Sequence, residues 1–339
     1  MEAVDAGLLI EWGVKAFILA FALITGFAYT TFYERRLAAR IQVRVGPNRA
    51  GPGGFLQPAA DGIKLFFKEE FTPASAYKAV FILAPIITVI PALIILAVVP
   101  FGTAIELFGR EISLGIADIN VGVLYILSVA SISVYGIVLA GWSSNNKYSM
   151  MGGLRSSAQM LSYELSLGLA FVPPILMAGS MSLMDIVEAQ RGLWYIAYPN
   201  MFLGAIIFYI AMLAEVNRSP FDMPEAEQEL TAGYHTEYSG MKFSLFFMGE
   251  YIKMIAVSAI FATLFLGGFR GPGIDSYPLL GPLYLLLKII GSLGIMIWLR
   301  ATLPRFRYDR LMDFGWKFLL PLSLANVFLT AVIIVVFGL

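Results

Sequence analysis

The chain of 339 residues has no cysteine and a single histidine, His235. Without thiols there can be no disulfide, no thiolate-held iron-sulfur cluster and no cysteine-based zinc or nucleophile chemistry. One imidazole cannot hold a haem between facing helices, and it has no companions with which to bind a metal. A glycine-rich phosphate loop ending in Lys-Ser/Thr is missing, which removes the usual sign of ATP use. Charge is scarce as well: 14% of residues are charged against 59% hydrophobic, with a mean hydropathy of +0.79. A soluble domain does not have this composition, and the fold expected is all-α, a polytopic protein living in lipid. If such a chain serves a redox system, electrons must reach it through a partner or a diffusible carrier. No nucleic-acid partner is expected.

Apolar runs of about 20 residues cross a bilayer as helix. Eight are read, at about 12–33, 79–101, 119–141, 160–181, 196–217, 244–268, 279–300 and 316–338, the seventh interrupted by Lys288. They make one integral membrane domain over 1–339 with no soluble appendage and no internal repeat of the kind many transporters carry. The loops 34–78, 142–159, 218–243 and 300–317 hold 17 Lys and Arg, whereas the alternate loops hold three, Arg110, Arg191 and Arg270. By the positive-inside rule the first set faces the cytoplasm and both termini face outward. Residues 1–12 carry no positive charge and no small-residue cleavage site, so no signal peptide is read there.

Two cytoplasmic loops stand out. In the first, glycines and prolines between Gly46 and Gly54 impose irregular backbone. After Pro58 the apolar Ile63, Phe66 and Phe67 alternate with Asp61, Lys64 and Lys68 at helical spacing, as in an amphipathic helix lying in the membrane interface. The plain alternative is a surface strut. The second loop, Arg218 to Ser239, holds five carboxylates, Asp222, Glu225, Glu227, Glu229 and Glu237, in 22 residues. Asp222 and Glu225 fit a capping box with Pro224 in the first turn. Glu225 and Glu229 share a helical face, where like charges repel and one carboxyl must hold its proton more tightly.

Within the spans, Glu164, Glu215 and Glu250 sit on three helices at similar depth below this acidic loop. Proton relays are built from such spaced, buried carboxylates. Simple neutralisation competes with that reading: Glu250 and Lys253 are three residues apart, and Lys288 could pair with any of the acids. From the residues alone, an ion-coupled transporter acting by itself and a passive anchor for a redox arm both stay open.

Several segments carry a resemblance. They are Gly54-Phe-Leu-Gln-Pro-Ala-Ala-Asp-Gly-Ile-Lys64, Gly141-Trp-Ser-Ser-Asn-Asn-Lys-Tyr-Ser149, Arg155-Ser-Ser-Ala-Gln-Met-Leu-Ser-Tyr-Glu164, Pro220-Phe-Asp-Met-Pro-Glu-Ala-Glu-Gln-Glu-Leu230 and Arg300-Ala-Thr-Leu-Pro-Arg-Phe-Arg-Tyr-Asp309. Together they closely resemble the H-subunit family of bacterial NADH:quinone oxidoreductase, respiratory complex I, over essentially the whole chain. A hydrogenase-related branch shares some motifs, but the uninterrupted first loop and the full acidic loop favour the quinone-linked one.

The resemblance implies a subunit with no cofactor of its own and no activity in isolation. It would join a hydrophilic electron-transfer arm, whose subunits hold FMN and iron-sulfur clusters, to a proton-pumping membrane arm. Quinone, the substrate, would enter from the bilayer beside the first and sixth spans and the amphipathic helix. By motif, Arg35, Arg36, Asp61, Lys64, Phe221 and Glu225 would line or shape the quinone chamber. Tyr163, Glu164, Glu215, Asp222, Glu225, Glu227, Glu229, Glu250 and Tyr251 would form the proton path. Some relatives carry a further Glu in the third span where this chain has Ser131, so the inner end of the path is expected to differ here, and Ser131 receives no relay role.

Overall fold

In lipid no water reaches the backbone, so each apolar stretch must satisfy its N–H and C=O groups within itself, as helix does. A computed structural model describes residues 6–107, 110–223, 231–274 and 276–337. The long apolar helices among them are α1 (Ala6–Ile41), α3 (Lys78–Ile94), α4 (Gly122–Ser143), α5 (Lys147–Ala178), α8 (Gly240–Phe265), α9 (Leu280–Thr302) and α11 (Leu320–Phe337). A 3-10 turn extends α3 to Val98, and α10 (Tyr308–Phe314) runs through a π turn into α11, so that seven segments are long and apolar enough to cross a membrane. Helix α7 (Pro199–Glu215) stands where the fifth span is expected; its 17 residues reach about 26 Å. Among the shorter elements are α2 (Gln57–Phe66), α6 (Leu183–Ala189) and an antiparallel pair of short strands, Ile105–Leu107 with Arg110–Ile112.

Helix α8 is the centre. Every residue from Tyr251 to Phe265 is buried, as expected of a helix apolar on all sides and surrounded by neighbours. It packs on α1, α3, α6, α7 and α9. Helix α3 meets α4 so closely that a Cβ on Gly136 would collide with the Thr88 hydroxyl and lie 2.9 Å from the Ala84 carbonyl; only glycine fits there. Helix α1, by contrast, is mostly exposed along its apolar length, as a helix touching lipid or another subunit must be.

Two sequence expectations need correction. Helix α5 starts at Lys147, not near residue 160, because Asn146 caps it by accepting from the Tyr148 N–H at 3.0 Å. The added turns read as polar, yet Ser149, Gly152, Gly153, Ser156, Ser157 and Gln159 are buried by protein, and Glu164 falls mid-helix instead of near an end. Lys288 pairs with no acid among the described residues: its ammonium donates to the carbonyls of Leu266, Gly268 and Arg270, each at 2.7 Å, and lies over the Trp194 ring. These carbonyls close the far end of α8, where a cation is favoured by the helix dipole.

Candidate functional site

The first loop returns α2 to the end of α1. Arg35 on α1 pairs with Asp61 on α2 at 2.6 Å; Lys64 stands 4.0 Å from the same carboxylate and Gln57 donates to it at 3.2 Å. Three of the expected chamber residues thus form one group. Arg36 is directed elsewhere: it donates to the Gly53 carbonyl at 2.7 Å and covers the Phe32 ring, fixing the glycine-rich bend. Helix α2 buries none of its residues, and Ile63, Phe66 and Phe67 are exposed, forming an apolar strip beside the ion pair.

Deeper in, charge alternates in sign from helix to helix. Glu34 on α1 pairs with Arg300 on α9 and lies 3.6 Å from Arg218, just beyond α7. Arg218 reaches Glu250 on α8 at 2.7 Å while its guanidinium covers the Tyr251 ring at 4.4 Å, and Tyr251 stands beside both Glu34 and Glu250. One turn along α8, Lys253 faces Glu215 at 3.9 Å and feels Glu250 and Glu164 as well. Glu164 accepts a hydrogen bond from Ser131 on α4. Glu34, Glu215, Arg218 and Lys253 are each less than a tenth exposed. Ions so buried persist only because each has an opposite charge at hand.

A cavity of about 20 Å³ interrupts the line between the Arg218 and Lys253 pairs, with Thr88, Asn217, Tyr234, Glu215, Glu250 and Lys253 in its wall. That is room for a single water with polar partners on several sides. Glu164, whose charge Lys253 also feels, lines an open groove with Leu127, Leu161, Leu165 and Leu320. Aromatic stacking holds the turn after α7: Phe221 packs between Tyr163 and Phe306, and Asp222 pairs with Arg305 at 3.5 Å.

The arrangement departs from expectation in several places. Glu250 and Lys253 do not neutralise each other on their own helix; each finds an opposite charge from the α7 end. Phe221 has its ring partners in Tyr163 and Phe306, not in the Arg35 group. The Tyr163 hydroxyl donates to the Leu311 carbonyl at 2.9 Å, a bond that fastens the π turn by Gly315 more than it offers a proton to Glu164. Ser131, to which the sequence assigns no relay role, donates directly to Glu164. His235, the single imidazole, is buried among Tyr234, Phe243 and Phe247. Glu225, Glu227 and Glu229 lie outside the described residues, and with them the capping box. Sequence reasoning missed Glu34, Arg218 and Arg300 as members of the site. Each sits at the edge of a span, a weak signal, because charges are ordinary where a span meets a loop and nothing in the sequence says that these three turn inward.

Seven apolar spanning helices that bury alternating charges between them define the class, an all-α polytopic membrane protein with a polar interior. The particular family follows from comparison. Residues 14–331 match the NADH dehydrogenase family model. One of the NADH-quinone oxidoreductase H subunits of Geobacter sulfurreducens is 51% identical over 318 residues, covering 94% of each chain. The H subunit of Protochlamydia amoebophila is 54% identical over 307 residues, covering 91% of this chain and 92% of its own. That of Thermomicrobium roseum is 52% identical, covering 94% of each. The chain belongs to this family, the membrane-embedded H subunits of NADH-quinone oxidoreductase.

Proposed function

We propose that this subunit forms part of the quinone-binding chamber and couples quinone reduction to proton translocation through the alternating ionic chain. Reduction of a quinone takes up protons and changes the charge of the cavity. Glu34, held between Arg300 and Arg218, is the first buried group to feel that change, and Arg218 has carboxylates on both sides toward which it can move. A shift of Arg218 toward Glu34 would loosen Glu250 and let Lys253 redistribute between Glu250 and Glu215, with the small cavity supplying water for proton exchange. Glu164 and Ser131 lie at the far end, in a groove open to a neighbouring membrane subunit. Asp222, Tyr251, Glu225, Glu227 and Glu229 belong to the same path by their motifs, and Tyr163 supports it through the Phe221 layer.

At the membrane surface, Arg35, Asp61 and Lys64 would meet the polar head of the quinone while Ile63, Phe66 and Phe67 contact its tail and the acyl chains. Arg36 shapes that opening by holding the loop. FMN and iron-sulfur clusters would belong to partner subunits of the hydrophilic arm, and pump subunits of the membrane arm would receive the signal. The bias of basic residues supports both termini on the outer side of the cell's inner membrane, and in this reading the assembled enzyme acts as a translocase.

The observation that carries the reading is the continuity of opposite charges from α1 through the α7 end and α8 to Glu215. Glu215→Gln tests it. The variant should assemble yet lose proton pumping in membrane vesicles with NADH and quinone supplied; pumping at the natural rate would remove Glu215 from the path.

A further inference from the structure

We propose that Gln159 is a positioning residue for the coupled reaction: from α5 it fastens the end of α7 and so fixes where Glu215 and Arg218 stand, an inference that rests on the path proposed above. The last carbonyls of a helix have no intrahelical donor and must find one elsewhere when the end is buried. Helix α7 ends at Glu215 inside the protein, and the chain then turns through Asn217, whose φ of 56° is left-handed. The Gln159 side-chain nitrogen lies 2.9 Å from the Ala214 carbonyl, 3.1 Å from the Asn217 side-chain oxygen and 2.6 Å from the Phe221 carbonyl. It therefore grips the residue before Glu215, the residue before Arg218 and the turn that follows. Its neighbour Met160 receives the Asn217 side-chain nitrogen at 3.4 Å.

The chemistry of this contact is specific. All three neighbours are acceptors, so the amide must present its nitrogen to them, and Gln159 is fully buried. A glutamate of the same shape would aim a carboxylate at three oxygens unless it took a proton. A leucine would fill the space and leave the acceptors without a donor. Either change frees the segment that carries Glu215 and Arg218, whose partners Lys253 and Glu250 stand across the small cavity that Asn217 also lines. Among the described residues just beyond this turn, Asp222 keeps its ion pair with Arg305, which neither change removes.

The assembled complex in native membranes is the material for the test, with NADH oxidation by ferricyanide reporting the amount of intact electron-input arm. Gln159→Leu should lower quinone reductase turnover about tenfold or more, with the KM for quinone little changed, since a small misplacement costs rate more than binding. Gln159→Glu should be impaired at about pH 8 and recover several-fold toward about pH 6, where protonation restores a donor. A mere packing role predicts lower assembly with no such recovery. Turnover of Gln159→Leu within about twofold of the natural enzyme, or a flat pH ratio for Gln159→Glu, overturns the proposal. Should both fail to assemble, Asn217→Gly decides: glycine accepts the left-handed backbone, keeps the Gln159 bonds to the Ala214 and Phe221 carbonyls, and deletes the side-chain contacts of Asn217 with Gln159 and Met160. It should reduce turnover with normal assembly, and natural turnover there overturns the proposal too. Natural pumping by Glu215→Gln would sink the path on its own, whereas the Gln159 variants are read by turnover.

Discussion

Arg218 carries more of the site than any other residue, because two carboxylates and an aromatic ring depend on it. Removing one partner of a buried ion pair leaves an uncompensated charge, a loss of roughly 3–5 kcal/mol. Arg218→Met should therefore strip most of the subunit from membranes, visible as loss of the assembled complex on native gels. The double variant Arg218→Met with Glu250→Gln should recover part of the assembly, because it removes the stranded carboxylate as well. Equal assembly of the single variant and the natural chain would mean that Glu250 is not held as described. Arg218→Lys should assemble but function poorly, since an ammonium cannot reach Glu34 and Glu250 at once with the geometry of a guanidinium. At this scale the sequence displayed the acids clearly and the cations badly. A carboxylate inside an apolar run announces itself, but Arg218 and Arg300 lie at loop edges, where basic residues are ordinary, and only folding shows which way they turn. Gln159 was harder still: an uncharged amide in a polar stretch has no sequence feature that says it will be buried against another helix's end.

Helix α11 illustrates how an element can be legible in extent and illegible in orientation. Its apolar run marks a span, but of its residues only Ser323, Asn326 and Thr330 are buried, while Phe328, Val332, Val335 and Phe337 point out. Lipid is as apolar as leucine, so helices in membranes associate through small and polar residues and close backbone approach. Asn200 on α7 accordingly donates to Thr330 at 3.3 Å, and a Cβ on Gly204 of α7 would stand 2.9 Å from the Asn326 side-chain nitrogen. Gly204→Leu should push α7 and α11 apart at a cost of about 1–3 kcal/mol, lowering the temperature at which detergent-solubilised complex loses this subunit. Val335→Leu on the exposed face is the control and should change nothing; equal melting of the two variants would show that the helices are not packed through Gly204. The amphipathic α2 was readable because its apolar and charged positions separate at helical spacing. The early start of α5 was not, since serines and glycines look like loop until a neighbouring helix buries them.

For the whole molecule, the distribution of basic residues sets the expected topology, and the absence of cysteine makes it directly measurable. Seventeen Lys and Arg on one set of loops against three on the other is a bias that the insertion machinery reads as orientation. The helix order then places the 190–194 turn on the sparsely charged side and the 69–77 segment on the basic side. Gly192 is exposed, and a side chain added there meets nothing within 4 Å. Ala74 is exposed in the opposite set of loops. A single cysteine at either position is the only thiol in this chain, so a membrane-impermeant maleimide that adds mass to the subunit reports one site at a time. Gly192→Cys should react in cells whose outer membrane alone has been opened, and Ala74→Cys only after the inner membrane is breached. The reverse pattern would invert the protein in the bilayer. It would also turn the Arg35, Asp61 and Lys64 group away from any electron-donating arm in the cytoplasm, so the same labelling decides whether the ionic chain begins on the side where quinone could be reduced.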